Sequence, residues 1–492
     1  MRTLAPYAVL GWLMLAFLSP LSGQRIINEE LFLVNGYNVA ERGYPVKIAP
    51  ATNGAFVFLE YWAAGVEGHR TANYYLQSYG IHNFTENWFR PVTEEGREEM
   101  QIADLQRTTE GHVVLGYQYI SELRTAHAVG RFFDLAGKPI EDDPIQLSNY
   151  EKAPGKNFRD RFVMSAKGNL VMWMGQDSRS LFMTVRRGNG KLLWEKTMKL
   201  PDVQVRYEIS DVLLDDLGNP LFLMNLIKPT FTLRDTLTPP LLMRYLHEQD
   251  TLVIDPVRVK AHAFVVNAQI GHLPKGEIVV TGALSDAAGP GILNGEKAGK
   301  TPLRWTHVFF HRYRPEEKFR LAASAISPIP EKLTAFYAEN GANFSRAQLV
   351  LHQENAALLF EEYFSGKDRV YFYDIACLGF DIKTGAQTWS QVVQKKQRGG
   401  ANAGTFLGYT AGVARDRLRI VYLTERGAPG KIMCATIDMH SGERKDKVLA
   451  SNEDSRYLFF PSRSNMVSGG EMVLIGMGNP DQNDFKLITI GF

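Results

Sequence analysis

The chain has 492 residues, of which 45% are hydrophobic and 22% charged, with 43 glycines and a formal net charge of +2. A chain of this length can bury a large core, and its near-neutral balance excludes the global field that draws proteins to nucleic acid or acidic membranes. Few stretches carry the 3.6-residue apolar period of a helix, which with 11% aromatic residues favours an all-β protein rich in turns.

At the N-terminus, Met1-Arg2 precedes an apolar run over 8–18, then Ser19, Pro20, Ser22 and Gly23. This is the layout of a secretory signal peptide over residues 1–23, which would leave Gln24 first. The run is shorter than the roughly 20 apolar residues of a membrane span, and no cysteine follows it to accept a lipid. An uncleaved anchor is the alternative. Residues 24–492 are expected to form a single soluble domain with no transmembrane span, in an exported compartment.

From there a strand, a Gly or Asn turn and a strongly apolar strand recur along the chain. The copies are ATNGAFVFLEYW (51–62), TTEGHVVLGYQY (108–119), SAKGNLVMWMG (165–175), DDLGNPLFLMNL (215–226), LPKGEIVVTGAL (273–284), HQENAALLFEEY (352–363), ARDRLRIVYLT (414–424) and VSGGEMVLIGMG (467–478). A third strand follows each, and in most copies a turn and a fourth, as in GKLLWEKTM or GAQTWSQVV. The last copy stops at its third strand, at Phe492, while an apolar segment at 29–37 is left over and can pair with it. The expected fold is an eight-bladed β-propeller of four-stranded antiparallel blades, its ring closed by an N-terminal strand. Seven blades with an irregular extra hairpin is the alternative. The polar, Gly-rich stretch 285–304 and a possible short helix at 331–338 interrupt the rhythm without marking a domain boundary.

The cysteines Cys377 and Cys434 fall at the same place in consecutive repeats, which favours two buried thiols over a bridge. The clearest copy of the third-strand turn is GFDIKTGAQTW (379–389). It resembles the tryptophan-docking motif A-x-D-x-x-T-G-x-x-x-W of the pyrroloquinoline-quinone-like propellers, with Asp381, Thr384, Gly385 and Trp389 matching and Gly379 in the small-residue place. TIDMHSGERKD (436–446) lacks the Trp, and TVRRGNGKLLW (184–194) lacks the Asp. The resemblance implies structural positions: the Trp packs between blades while the Asp and Thr hold the turn. Quinone enzymes of that family carry an adjacent cysteine pair and a calcium-ligating cluster. The separation of Cys377 from Cys434 therefore implies the cofactor-free scaffold branch.

Other chemistry is sparse. His307 and His311 share a strand face, but nothing nearby completes a zinc site, so they are expected to be partly exposed strand residues. Glu361 and Glu362 are expected on opposite faces of a strand, unable to act as paired acids. Asp215-Asp216 is expected to be a solvated turn, and Asp481 and Asp484 in GNPDQND a polar turn rather than a calcium loop. Neither a nucleophile elbow, a P-loop nor a Cys/His catalytic layout is present. No catalytic, cofactor or metal residue is therefore assigned.

The loops between second and third strands repeatedly carry charge, and in a propeller they share one face with the blade-to-blade connections. Arg70, Arg124, Arg179, Arg234, Arg369 and Arg426 belong to these loops, and Arg304 and the run 394–400 add to that face. Arginines and aromatics such as Tyr119, Trp173 and Phe231 are enriched in interface hot spots, so a protein partner is expected there; the bland reading is that the charges only solvate and pin turns. Interleaved acids disfavour nucleic acid. Together these features predict an exported, non-catalytic propeller without cofactor, a protein-binding or scaffold subunit of a periplasmic, outer-membrane-associated or extracellular bacterial assembly. The alternative is an enzyme with its site over the central channel, a quinone-type oxidoreductase or a carbohydrate-active hydrolase or lyase.

Overall fold

A computed structural model describes residues 25–32, 42–51, 55–66, 69–81, 86–92, 100–120, 125–148, 159–177, 180–200, 206–227, 240–259, 264–285, 305–315, 318–330, 333, 343–365, 369–400, 408–424, 431–451, 458–461, 464–468, 470–477 and 485–492. The signal segment 1–23, the stretch 286–304, the turn 478–484 and all of the helix candidate except the buried Leu333 lie outside the described residues.

Apart from two 3-10 turns, the named elements are strands. β1 spans Arg25–Phe32. Blade 1 is β2 (Arg42–Pro50), β3 (Ala55–Val66), β4 (His69–Gly80) and β5 (Glu86–Pro91). Blade 2 is β6 (Met100–Arg107), β7 (Gly111–Ile120), β8 (Thr125–Asp134) and β9 (Ile145–Gln146); blade 3 is β10 (Arg159–Met164), β11 (Leu170–Gln176), β12 (Ser180–Arg187) and β13 (Leu192–Lys199). Blade 4 is β14 (Arg206–Leu214), β15 (Pro220–Ile227), β16 (Leu241–Leu246) and β17 (Thr251–Pro256); blade 5 is β18 (Phe264–His272), β19 (Ile278–Ser285), β20 (Trp305–Pro315) and β21 (Phe319–Pro328). Blade 6 is β22 (Asn343–His352), β23 (Asn355–Ser365), β24 (Arg369–Asp381), β25 (Gln387–Val393) and an added β26 (Gln397–Gly400). Blade 7 is β27 (Tyr409–Ala414), β28 (Arg417–Leu423), β29 (Lys431–Asp438) and β30 (Arg444–Ser451). The chain finishes with β31 (Leu458–Phe459), β32 (Asn465–Ser468), β33 (Glu471–Met477) and β34 (Phe485–Gly491).

Position within a blade follows side-chain character. Every residue of β11, LVMWMGQ, is buried, because a middle strand has a neighbouring blade on each face. The outermost β13, LLWEKTMK, alternates between exposed and half-buried residues, as a strand at a wet edge must. The core is therefore a series of seams. Val113, Leu115 and Phe132 of blade 2 meet Val171 and Trp173 of blade 3; Leu359 and Cys377 of blade 6 meet Leu418, Ile420 and Ala435 of blade 7.

Strand order makes this a β-propeller and also corrects the expectation of eight four-stranded antiparallel blades in favour of the seven-bladed alternative. Seven sheets are built from consecutive strands, six with four and blade 6 with five. The remaining sheet, ordered β1-β34-β33-β31 with β32 also on β33, is a composite of both ends of the chain. Its inner edge is split into two short pieces, pairing Leu458 with Met477 and Asn465 with Val473, and its outer strand comes from the N-terminus, where Leu31 pairs with Lys486. The physical reason is that this sheet is not a run of consecutive strands: β31 and β32 each cover only part of β33, and β1 pairs along β34. We therefore describe the fold as all-β, with seven blades of mostly four antiparallel strands and one composite sheet joining the two ends. That sheet packs Leu474 and Ile490 on Val421 and Cys434 of blade 7, and reaches blade 1 through Asn465 Nδ2 to Ile48 O (3.3 Å) and Thr489 Oγ1 to Ile81 O (3.0 Å).

Cys377 and Cys434 are both free and buried, and burial pushes their thiols up to about 12 and about 11. Neither is expected to react with a thiol reagent at pH 8 in the native protein, whereas both should react in denaturant; rapid native labelling would contradict these seams.

His311 corrects a second expectation. It is fully buried rather than partly exposed, because β20 is a middle strand, and it packs against Phe309 and Tyr313; His307, nearer the strand end, is half-buried. His112 is likewise buried, its Nε2 donating to the Pro50 carbonyl at 3.3 Å. Burial lowers both imidazoles, His112 to about 4. A depressed imidazole contributes stability that is present above about 6.5 and is lost as pH falls. Between pH 7.5 and 5.0 the wild type should therefore lose melting temperature relative to a His112→Gln/His311→Gln variant, in which the other titrating groups are unchanged; parallel pH profiles in the two proteins would contradict the histidine contribution.

Candidate functional site

The motif at 379–389 forms an inter-blade clamp. Trp389 of β25 lies opposite Gly379 of β24, where a Cβ would stand 2.0 Å from the indole, so only glycine admits the ring. The indole Nε1 donates to the Met439 carbonyl of blade 7 at 2.8 Å, and its other side covers Gly442, whose φ of 74° suits glycine. Asp381 Oδ1 accepts both the backbone N–H and the hydroxyl of Thr384 at 2.7 Å. Burial works against this carboxylate, but the bonds from Thr384 hold its pKa below the ordinary value. Asp438 repeats the turn with Ser441.

Two further clamps escape the motif. Trp194 of blade 3 donates to the Gly218 carbonyl of blade 4 at 3.0 Å, and Trp88 of blade 1 lies over Gly137 of blade 2, where a Cβ would come within 2.6 Å of the ring. The signal available in sequence was a Trp in an outer strand followed, in the next repeat, by a positive-φ Gly, in the third-to-fourth turn for Gly137 and in the first-to-second turn for Gly218. At Asp215 the expectation of a solvated turn is corrected. Its Oδ1 accepts from the N–H groups of Leu217 and Asn219, and its Oδ2 from Arg244 at 2.9 Å, so it organises a Gly218 turn that must receive Trp194.

Of the partner-face arginines, Arg124, Arg179, Arg234, Arg304 and Arg426 lie outside the described residues, as do Tyr119's side chain and Phe231. Trp173 is a buried core residue and not part of any exposed face. Arg70 sits in β4 opposite Gly65. Arg369 is exposed at the start of β24, opposite Gly400, and the run 394–400 supplies β26, which pairs with the half of β24 that β25 leaves uncovered. Arg398 is exposed and directly opposite Tyr371. Tyr371 stacks with Tyr373 at 6.0 Å and an interplanar angle of 15°. Since residues two apart in a strand share a face, Arg369, Tyr371, Tyr373 and Arg398 form one aromatic and basic platform.

Behind that platform lies a polar cluster that sequence reasoning dismissed. Glu361 and Glu362 are both 1% exposed, since they lie on the middle strand β23. The register also shifts between Glu361 and Tyr363, a bulge beside the pair. Lys395, also buried, places its Nζ 2.6 Å from Glu361 Oε1 and 3.0 Å from Gln397 Oε1. Asp374 Oδ1 accepts the Lys395 backbone N–H at 2.9 Å, and burial raises its pKa. Among the described residues no group of three or more His, Cys, Asp or Glu is disposed to hold a metal ion, and no helix is long and apolar enough to cross a membrane.

No family model matches the sequence, and no curated protein matches it. Solved structures do. The chain is similar to a structure of the Dos1 propeller at 8% identity and a TM-score of 0.44, covering 95% of each chain. It is similar to the β-propeller domain of the Trilobed protease from Pyrococcus furiosus at 10% identity and a TM-score of 0.39, covering 85% of this chain and 98% of that one. Oligopeptidase B from Leishmania major matches at 10% identity and a TM-score of 0.37 over 80% of this chain and 45% of the enzyme. These likenesses concern the propeller fold alone.

Removing the clamp should be costly. Trp389→Ala is expected to destabilise the protein by about 3–5 kcal/mol, and Asp381→Ala by about 1 kcal/mol, measured by denaturant unfolding. A Trp389→Ala loss below about 1 kcal/mol would remove the clamp from the account of stability.

Proposed function

We propose that this propeller is an exported, non-catalytic scaffold or protein-binding subunit of a bacterial cell-envelope or extracellular assembly. The observation that carries the reading is the platform of Arg369, Tyr371, Tyr373 and Arg398 on the widened edge of blade 6. Rigid aromatics beside arginines are the residues on which interface energy concentrates, because they bury area with little entropy loss and bond in a fixed geometry. Export is supported by the layout of residues 1–23. Kinship with the cofactor-free branch of the quinoprotein-like propellers is supported by the Trp389 clamp and by two thiols buried in different blades, which leave no vicinal pair.

The test is quantitative affinity capture from the native envelope with the wild type and an Arg369→Glu/Arg398→Glu variant, with an absorbance and metal scan of the same samples. A stoichiometric protein partner is expected on the wild type and should fall at least tenfold on the variant, with the melting temperature unchanged. Equal capture would displace the platform from the reading. A partner-free monomer carrying quinone or calcium would overturn the scaffold role.

A further inference from the structure

The crossover from blade 6 to blade 7 carries the cluster around Lys395. Its backbone and side chains stitch the two blades together: Lys396 N–H donates to the Thr424 carbonyl at 3.0 Å, Gln397 Nε2 to the Leu423 carbonyl at 2.8 Å, and Gly408 N–H to Gln397 Oε1 at 2.8 Å. Lys395 Nζ also lies 5.5 Å from the centroid of the Phe372 ring. The buried ammonium thus faces Glu361, Glu362 and Asp374. Arg444 of β30, itself paired with Asp446, acts on Asp374, and Arg398 acts on Tyr373, which stands beside Glu362. On β22 the cross-strand neighbours of Glu361 and Glu362 are Arg346 and Phe344. Among the described residues no donor reaches Glu362 Oε2, although the side chain is 1% exposed.

A buried carboxylate with an oxygen lacking any donor is far more costly as an anion than as a neutral acid. We infer that the crossover is a pH-gated latch, closed while Glu362 keeps its proton and loosened over 394–400 when that proton leaves. Once ionised, Glu362 adds to the charge of Glu361 and Asp374 around one ammonium and must be reached by water. β23 and β24 are gripped on both sides, so the segment that yields is the crossover and the four-residue β26, which ends in Gly399-Gly400. Burial first, and the Asp374 charge second, raise Glu362 to about 7, which sets the gate near neutrality. For an acid raised in this way the stabilisation is complete below about 4.5 and is lost as pH rises through about 7.

Because β26 carries Arg398, the latch would also order or release the platform, and that consequence alone rests on the partner-binding reading. The test reads neither partner nor activity. Native-state hydrogen exchange of the full chain is followed from pH 6.0 to 8.5, corrected for intrinsic exchange, in the wild type, Glu362→Gln and Glu361→Gln. In the wild type, protection of peptides over 394–400 should fall at least tenfold relative to β11, with a midpoint near 7. Glu362→Gln should stay protected throughout, and Glu361→Gln, which removes the Lys395 partner, should be loose at both extremes. Wild-type protection that does not change with pH would overturn the latch on its own, even if a variant failed to fold; an identical loss in Glu362→Gln would do the same.

Discussion

Each blade is a sheet with two apolar faces, and among the described residues what mainly covers a face is another blade. The two named helices are three-residue 3-10 turns with no buried residue, so burial comes chiefly from stacking sheet on sheet. Middle strands such as β11 accordingly read as continuous apolar runs, and the seams between consecutive blades form the core. A linear stack would leave two uncovered faces at its ends. The composite sheet removes both by packing on blade 7 and bonding to blade 1.

Polar ties index the seams that apolar packing drives. Near the inner strands, Lys47 pairs with Asp104 across blades 1 and 2, Arg161 donates to the Ile209 and Ser210 carbonyls across blades 3 and 4, and Asp211 accepts the Ile270 N–H across blades 4 and 5 at 2.9 Å. Lys47, Asp104 and Asp211 each flank a bulge, which turns the side chain along the seam. Farther out, Trp88, Trp194 and Trp389 each reach from an outer strand to a glycine turn of the next blade. Apolar area supplies most of the energy, and these ties select one rotation of blade on blade. Blade 6 departs from the pattern in its crossover, where a buried ammonium within the blade faces a surplus of carboxylates. It is also the blade with an extra strand, so structural irregularity and the candidate interaction surface coincide.

Much of this architecture was legible in the sequence, because turn chemistry and apolar runs are local. The eight hairpin segments fall on paired strands, and Trp389 and Asp381 stood out by motif. The inequality of the blades was harder to see, since β31 and β32 are too short to carry a period of two. Bulges were invisible, such as the register shift beside Glu361 and Glu362; both carboxylates are inside because β23 is a middle strand. His311 was misjudged because its middle-strand position depends on which blades cover it, a tertiary fact. Trp88 was missed because its partner, Gly137, belongs to the next repeat.

The central claim is that the two ends of the chain share one sheet and close the fold. An engineered disulfide between Leu31→Cys and Lys486→Cys, positions paired across β1 and β34, tests it most directly. The native thiols are buried and do not compete. The account expects the bridge to form quantitatively on mild oxidation of the folded protein and to raise the unfolding temperature, since it closes a very long loop. Two persistently free engineered thiols, with the fold otherwise intact, would contradict it.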